Sequence, residues 1–227
     1  MRHAFPVTLA LALMLFSPCV ATAQTITSPY RFIEERNSVS LFAGTIQTDR
    51  GRLDMGPEPA ALFGIRYDLR LTGPLSGEAS VGYAPTTRTV FLPPAEGSEG
   101  PGVAGGENDV GLLVAEAGLR FHLTGSRAWR GLAPFVVLTG GAVFDMAASG
   151  EVDESLAPEN RFDLGPGFAA AVGLGTDFFL TERFSIRVDA RDHIWRLEYP
   201  ERFVQDDTAD KEWRHNFALT AGGAFHF

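Results

Sequence analysis

Cysteine is almost absent from this sequence: Cys19, close to the N-terminus, is the single one. Long apolar runs are scarce as well. Val7 to Phe16 is the longest, and it falls short of the ~20 residues that a membrane-spanning helix needs. Positive charge is also in deficit, with 19 Lys and Arg against 28 Asp and Glu and a formal net charge of −9. The first absence excludes a disulfide framework, the second a helical membrane anchor, and the third the basic face that a nucleic-acid partner requires.

The N-terminus has its own pattern. Arg2 and His3 make a short basic start, the apolar run follows, and Ala21-Thr22-Ala23 supplies a small-x-small cleavage pattern. Residues 1–23 are therefore expected to be a secretory signal peptide, with the mature chain starting at Gln24. Pro18 directly before Cys19 obstructs lipoprotein processing, so Cys19 is expected to leave with the signal rather than carry a lipid. About 204 residues then remain, with a formal net charge of −10. That is enough for one generous all-β domain. Residues 24–36 are expected to be a periplasmic lead-in, and 37–227 a barrel.

What the sequence has in quantity is alternation. Apolar and polar residues take turns over roughly 38–47, 60–71, 78–88, 109–123, 132–145, 166–180, 183–196 and 213–227. Short turn-like links at Thr72–Gly77, Thr124–Gly131 and Thr181–Arg183 alternate with long ones at 48–59, 89–108, 146–165 and 197–212, which are rich in Gly, Pro and acidic residues. Eight strands with alternating short and long links predict an antiparallel, up-and-down transmembrane β-barrel, its short turns in the periplasm and its long loops outside.

A period of two assigns faces. Ala61, Phe63, Ile65, Tyr67, Leu69 and Leu71 share one face, against Arg66, Asp68 and Arg70 on the other. Leu113, Ala115, Ala117, Leu119 and Phe121 oppose Glu116, Arg120 and His122; Phe184, Ile186, Val188 and Ala190 oppose Arg187, Asp189, Arg191 and His193; and Phe217, Leu219, Phe225 and Phe227 oppose Asn216, Thr220 and His226. A soluble barrel would turn the apolar faces inward around a ligand. Three features favour the reverse, a lipid-facing exterior: apolar faces long enough for a tilted strand to span a membrane, Trp129, Trp195 and Trp213 near strand ends where an interfacial aromatic belt lies, and an end to the sequence inside its last strand, at Phe227. Two strands stay open. In the fifth, Val136, Leu138, Ala142 and Phe144 compete with Phe135, Val137 and Val143 for the lipid side, and the first is equally unresolved. Asp192 falls out of phase and is assigned to the outer rim or a bulge.

The signal pattern, the hairpin rhythm and the last strand, Phe217-Ala-Leu-Thr-Ala-Gly-Gly-Ala-Phe-His-Phe227, together resemble the small outer-membrane β-barrel superfamily of the OmpA transmembrane-domain and OmpX type. The resemblance spans the mature chain. It implies residence in outer-membrane lipid as a monomer, and it gives Phe225 and Phe227 the role of a recognition signal for the barrel-assembly machinery. Gly223 stands where a larger apolar residue is usual. The stretch Arg187-Val-Asp-Ala-Arg191-Asp-His193 also resembles a late strand of barrel-domain proteins.

The remaining chemistry concentrates inside. Arg66, Asp68, Arg70, Glu78, Glu116, Arg120, Asp177, Arg187, Asp189 and Arg191 mix both signs on lumen-facing positions. They form either a polar conduction path or a mutually paired plug, and the narrow interior of eight strands favours the plug. No catalytic residues, cofactor or metal are expected. His122, His193 and His215 begin no His-x-Ser-Asn pattern of the kind used by lipid-deacylating barrels. Glu151, Asp153 and Glu154, like Asp206, Asp207 and Asp210, lack EF-hand spacing and are read as solvated charge. Gly97–Gly106 lacks the Lys-Ser/Thr of a phosphate loop. The function expected is a structural or surface-contact role, with a narrow passive channel as the alternative and a lipid-modifying enzyme as a third reading.

Overall fold

Alternating apolar and polar residues gain nothing from a helix, which would smear both kinds around its surface. In an extended strand they separate cleanly onto two faces. The structure, a computed structural model, describes residues 28–33, 36–94, 102–147, 150–162, 164–204 and 210–227, and ten strands form within them. These are β1 (Tyr30–Phe32), β2 (Asn37–Gln47), β3 (Ala60–Thr72), β4 (Leu75–Leu92), β5 (Val103–His122), β6 (Arg127–Trp129), β7 (Leu132–Asp145), β8 (Gly167–Phe179), β9 (Phe184–Glu198) and β10 (Lys211–His226). All but β1 and β6 close into an eight-stranded antiparallel barrel. Each barrel strand pairs with its neighbours in sequence, β7 with β8 included, and β10 returns to β2 from Phe217↔Gln47 to His226↔Ser38. The expected signal segment, with Cys19, lies outside the described residues, as do Asp206 and Asp207.

Three boundaries differ from the sequence expectation. The Thr72–Gly77 turn shrinks to Gly73-Pro74, since Leu75 and Gly77 already pair with Phe121 and Leu119; Gly73 supplies the positive φ of 42° that the tight reversal needs. The 89–108 loop is largely ribbon. β4 and β5 stay paired up to Leu92↔Val103, past the points where β3 and β7 stop at Tyr83 and Leu112. β-Branched and aromatic residues at Thr86, Thr87, Thr89, Val90 and Phe91 keep that ribbon extended. Finally, the Thr124–Gly131 link contains β6, and β1 from the lead-in pairs with it, Tyr30↔Trp129 to Phe32↔Arg127.

The faces follow the alternation. Leu41, Phe63, Ile65, Val81, Leu119, Leu138, Leu174, Val188 and Leu219 point outward and are exposed. A continuous apolar belt on this scale is not a surface that water stabilises. On β2, Ser38, Ser40, Phe42 and Ile46 face in and Leu41 faces out. On β7, Phe135, Val137, Thr139 and Val143 face in while Val136 and Leu138 face out. Asp192 keeps the alternation of β9 without a bulge and sits on the outer face near the long-loop rim, its carboxylate 2.6 Å from His215 Nδ1. Trp195 departs from its expected place in an aromatic belt. It follows the inward phase of Ser185, Arg187, Asp189 and His193 and is fully buried, at 0% exposure.

The interior has two storeys. Towards the short-turn end it is charged. Towards the long-loop end it is apolar, built from Phe42, Ile46, Leu62, Leu112, Val114, Val143, Trp195 and Leu197 of the wall and from Met55, Phe162, Leu164, Tyr199 and Phe203 of the loops, which fold into the mouth. Inward glycines let the strands coil this tightly: a Cβ on Gly118 would lie 2.0 Å from the Leu138 carbonyl oxygen.

The outward assignment predicts that Arg at Leu119, Val188 or Leu219 destabilises the barrel by ~2–4 kcal/mol where the site lies near a bilayer midplane. Urea titrations of barrels refolded into phospholipid vesicles measure this. Three variants as stable as the parent would reverse the assigned faces.

Candidate functional site

The charged storey starts from an awkward pairing. Asp68 on β3 and Glu78 on β4 stand directly opposite each other in register, a like-charge pair that is destabilising alone. Arg120 on β5 resolves it by reaching both: its Nη2 lies 2.9 Å from Asp68 Oδ1 and also bonds Glu78 Oε2. From this nucleus the network spreads across the lumen. Arg66 bridges Glu78 (3.2 Å) and Asp189 (3.0 Å); Arg191 bridges Glu78 (2.7 Å) and Asp189 (2.6 Å); Arg187 bridges Asp177 (2.6 Å) and Asp68 (2.8 Å). Four guanidinium groups and four carboxylates thus form one interlocked, formally neutral set, and every member is buried. Ser38 Oγ donates to Asp68 and Thr220 Oγ1 to Asp189, filling further acceptor sites. The guanidinium groups also lie on aromatic rings, Arg66 over Phe42 at 4.6 Å and Arg120 over Phe135 at 4.3 Å. The Phe42 ring borders the apolar storey, whereas Phe135, level with His122, lies on the short-turn side of Arg120.

Of the sequence-predicted lumen residues, Arg66, Asp68, Arg120, Asp177, Arg187, Asp189 and Arg191 meet here. Two do not join the ion pairs. Glu116 sits a layer higher, accepting from Thr139 Oγ1 (3.1 Å) and paired with His193 Nδ1 (3.0 Å). A cavity of about 20 Å³ beside it, lined in part by Phe42, Arg191 and His193, has room for about one water. Arg70 lies at the rim, where β3 runs out of the barrel, and donates to the Ile33 carbonyl of the lead-in. Glu78, by contrast, is the hub with three arginine partners. Its inward phase was readable from the sequence, but its centrality depends on the register with Asp68.

Other histidines pair with serines of the wall. Ser185 Oγ and His226 Nε2 are 2.8 Å apart, a spacing compatible with a nucleophile and its base. Both are buried, and no carboxylate bonds the ring among the described residues. His122 lies 3.5 Å from Ser76 and edge-on to Phe135. Among the described residues no group of His, Cys, Asp and Glu is arranged to hold a metal ion.

The loops are pinned to the wall by polar clamps. Asp153, in the short helix α1 (Glu151–Ser155), is not the solvated charge expected of it: it is buried and held by Arg88 and Asn108 from the tall β4–β5 ribbon. Burial accompanies the docking of Phe162 and Leu164 into the mouth. A second clamp joins the 48–59 loop to β10. Glu212 accepts from the Arg52 backbone N–H (2.9 Å) and from Tyr199 and Arg214 side chains. Burial disfavours the charged form of Glu212, but the hydrogen bonds from Arg214 and Tyr199 outweigh it and hold the carboxyl below its usual range. The Tyr199 hydroxyl is pushed well up, by burial first and then by Glu212. Aromatic residues inside otherwise polar loops, such as Phe162, Tyr199 and Phe203, were the sequence signal for this loop docking.

Together these features define an eight-stranded barrel with an apolar outer wall and a filled interior, the fold of the small outer-membrane barrels. No family model matches the sequence, and no curated protein matches it either. Among solved structures, the fold is similar to that of Neisserial surface protein A, at 12% identity over 84% of this chain and 97% of that one, with a TM-score of 0.55. It is also similar to the outer membrane protein OprG from Pseudomonas aeruginosa, at 11% identity over 85% and 97%, with a TM-score of 0.50.

Two predictions follow from the site. Glu78→Ala takes one carboxylate from each of three buried guanidinium groups, leaving four arginines to three carboxylates, and should destabilise the barrel by ~3–5 kcal/mol, whereas Arg70→Ala at the rim should change it by about 1 kcal/mol or less; equilibrium unfolding in urea compares them, and equal effects would deny Glu78 its central place. For the rim clamp, a carboxyl lowered in the folded state stabilises fully above its unfolded pKa of about 4.3 and loses that contribution as pH falls through the lower folded value. Hydrogen exchange at the Arg52 amide, corrected for its intrinsic rate, should therefore quicken below about pH 4, and Glu212→Gln should remove that pH dependence.

Proposed function

We propose that this chain is a monomeric outer-membrane barrel, closed to solutes, that presents its long loops at the cell surface and acts there through structure or contact rather than transport. The observation that carries this reading is the interior, filled at both levels: a neutral ion network at the short-turn end and an apolar core with docked loops at the long-loop end. A conduction path needs continuous water, and among the described residues buried side chains occupy both storeys. The apolar outer wall and the likeness of fold to an outer membrane protein support the location.

In this reading the short turns, the start of β2 and the end of β10 face the periplasm, in keeping with barrels of this architecture. Residues 1–23 act as a cleaved signal. Phe225 and Phe227, outward and stacked with ring centroids 6.1 Å apart, present the terminal aromatic signal to the assembly machinery.

Conductance of the refolded barrel in a planar bilayer tests the closed state, and the expected trace is flat. Glu78→Ala should introduce openings by loosening the network. Steady wild-type conductance, with only its ion selectivity altered by Glu78→Gln or Arg187→Gln, would replace the closed barrel with a narrow channel. A mass shift of lipid A on expression would replace it with an enzyme.

A further inference from the structure

We infer that β1 and β6 form a lip that docks on anionic phospholipid headgroups of the inner leaflet; this rests on the orientation proposed above. Cross-strand partners share a face, so the pairs Tyr30↔Trp129 and Phe32↔Arg127 put three aromatic residues and one arginine on one side of the lip. The pair Trp129↔Leu132 ties that side to the outward face of β7 and hence to the apolar belt. Phe32 is 65% exposed, Tyr30 45% and Trp129 42%, an aromatic surface that water does not favour. Mixed aromatic and basic residues at the edge of an apolar belt match the headgroup layer rather than the hydrocarbon. Arg127 lies 4.6 Å over the Phe32 ring and Arg130 5.4 Å over the Trp129 ring, arrangements that leave the guanidinium edges available to phosphate oxygens.

Two further observations point to an anionic partner. Arg31, Arg36, Arg127, Arg130 and Arg183 all lie at this end and form no ion pair among the described residues, Glu182 beside Arg31 being the nearby carboxylate, whereas every arginine of the interior network is neutralised. Arg130 also occupies a left-handed conformation, φ 50°, in the two-residue turn Arg130-Gly131, where Asn, Asp or Gly would fit without strain.

The test uses the mature chain refolded into vesicles of phosphatidylcholine alone or of equal parts phosphatidylcholine and phosphatidylglycerol, with amide hydrogen exchange read at β1 and β6. Anionic lipid should slow lip exchange about thirtyfold or more. The double variant Arg127→Gln, Arg130→Gln should reverse roughly thirtyfold of protection, the equivalent of about 1 kcal/mol for each arginine, while β9 amides remain protected. Should that variant fail to refold, high salt on the parent serves instead and should erase the anionic-lipid effect. Equal lip exchange in both vesicle types, or an anionic-lipid effect that survives both substitution and salt, would overturn the inference in favour of a soluble periplasmic partner. Symmetric vesicles make the outcome independent of which leaflet the lip meets, and bilayer conductance separately tests the closed-barrel reading.

Discussion

Eight tilted strands close around an interior only wide enough for side chains, and this confinement governs the rest of the molecule. Inward residues from opposite walls have no solvent to retreat into, so charges on β3, β4, β5, β8 and β9 must neutralise one another. Arg120 bridging the facing Asp68 and Glu78 is the contact on which this depends. Without it, two carboxylates would stand side by side in a low-dielectric space, where an unpaired charge is most costly. Arginine suits the task because its planar fork can serve two carboxylates at once and its face can lie on Phe42 or Phe135.

The same confinement explains why the interior changes character along its length. At the short-turn end the strands are linked by a few residues, and the wall's own polar side chains must fill the space. At the long-loop end the chain has loops to spare, and Met55, Phe162, Tyr199 and Phe203 fold back to complete an apolar core. Loops that dock in this way need anchors, which Asp153 and Glu212 provide through buried or half-buried hydrogen bonds. The surface displayed at that end is therefore a set of braced loops around a tall ribbon. The opposite end differs in charge and in contour, with arginines and aromatic rings on a short added sheet.

Much of the fold was legible in the sequence. The period-two alternation of Ala61 to Leu71, of Phe184 to His193 and of Phe217 to Phe227 specified strands, their faces and their number, because one face met an apolar surrounding and the other a polar one. Where that contrast vanished, so did legibility. Phe42 and Ile46 on β2, and Phe135, Val137 and Val143 on β7, point into an interior that is itself apolar or lined with rings, so both faces of those strands read alike. Trp195 misled for a related reason: a tryptophan near a strand end fits an interfacial belt or a capped mouth equally well, and only its parity with Asp189 and His193 selects the second.

By itself the sequence determined the eight barrel strands, the barrel architecture and most of the side chains that had to share the lumen, since these follow from local periodicity and composition. Only the tertiary structure decided which of those charges meet. Register places Asp68 opposite Glu78, closure brings β9 within reach of β3, and the separation of storeys leaves Glu116 to His193 and Arg70 to the lead-in. Pairing of Tyr30–Phe32 with Arg127–Trp129 belongs to the same class. Two three-residue segments, almost a hundred residues apart, carry no periodicity long enough to read, and they form a sheet although the barrel places β2 and the β5–β7 link on opposite walls.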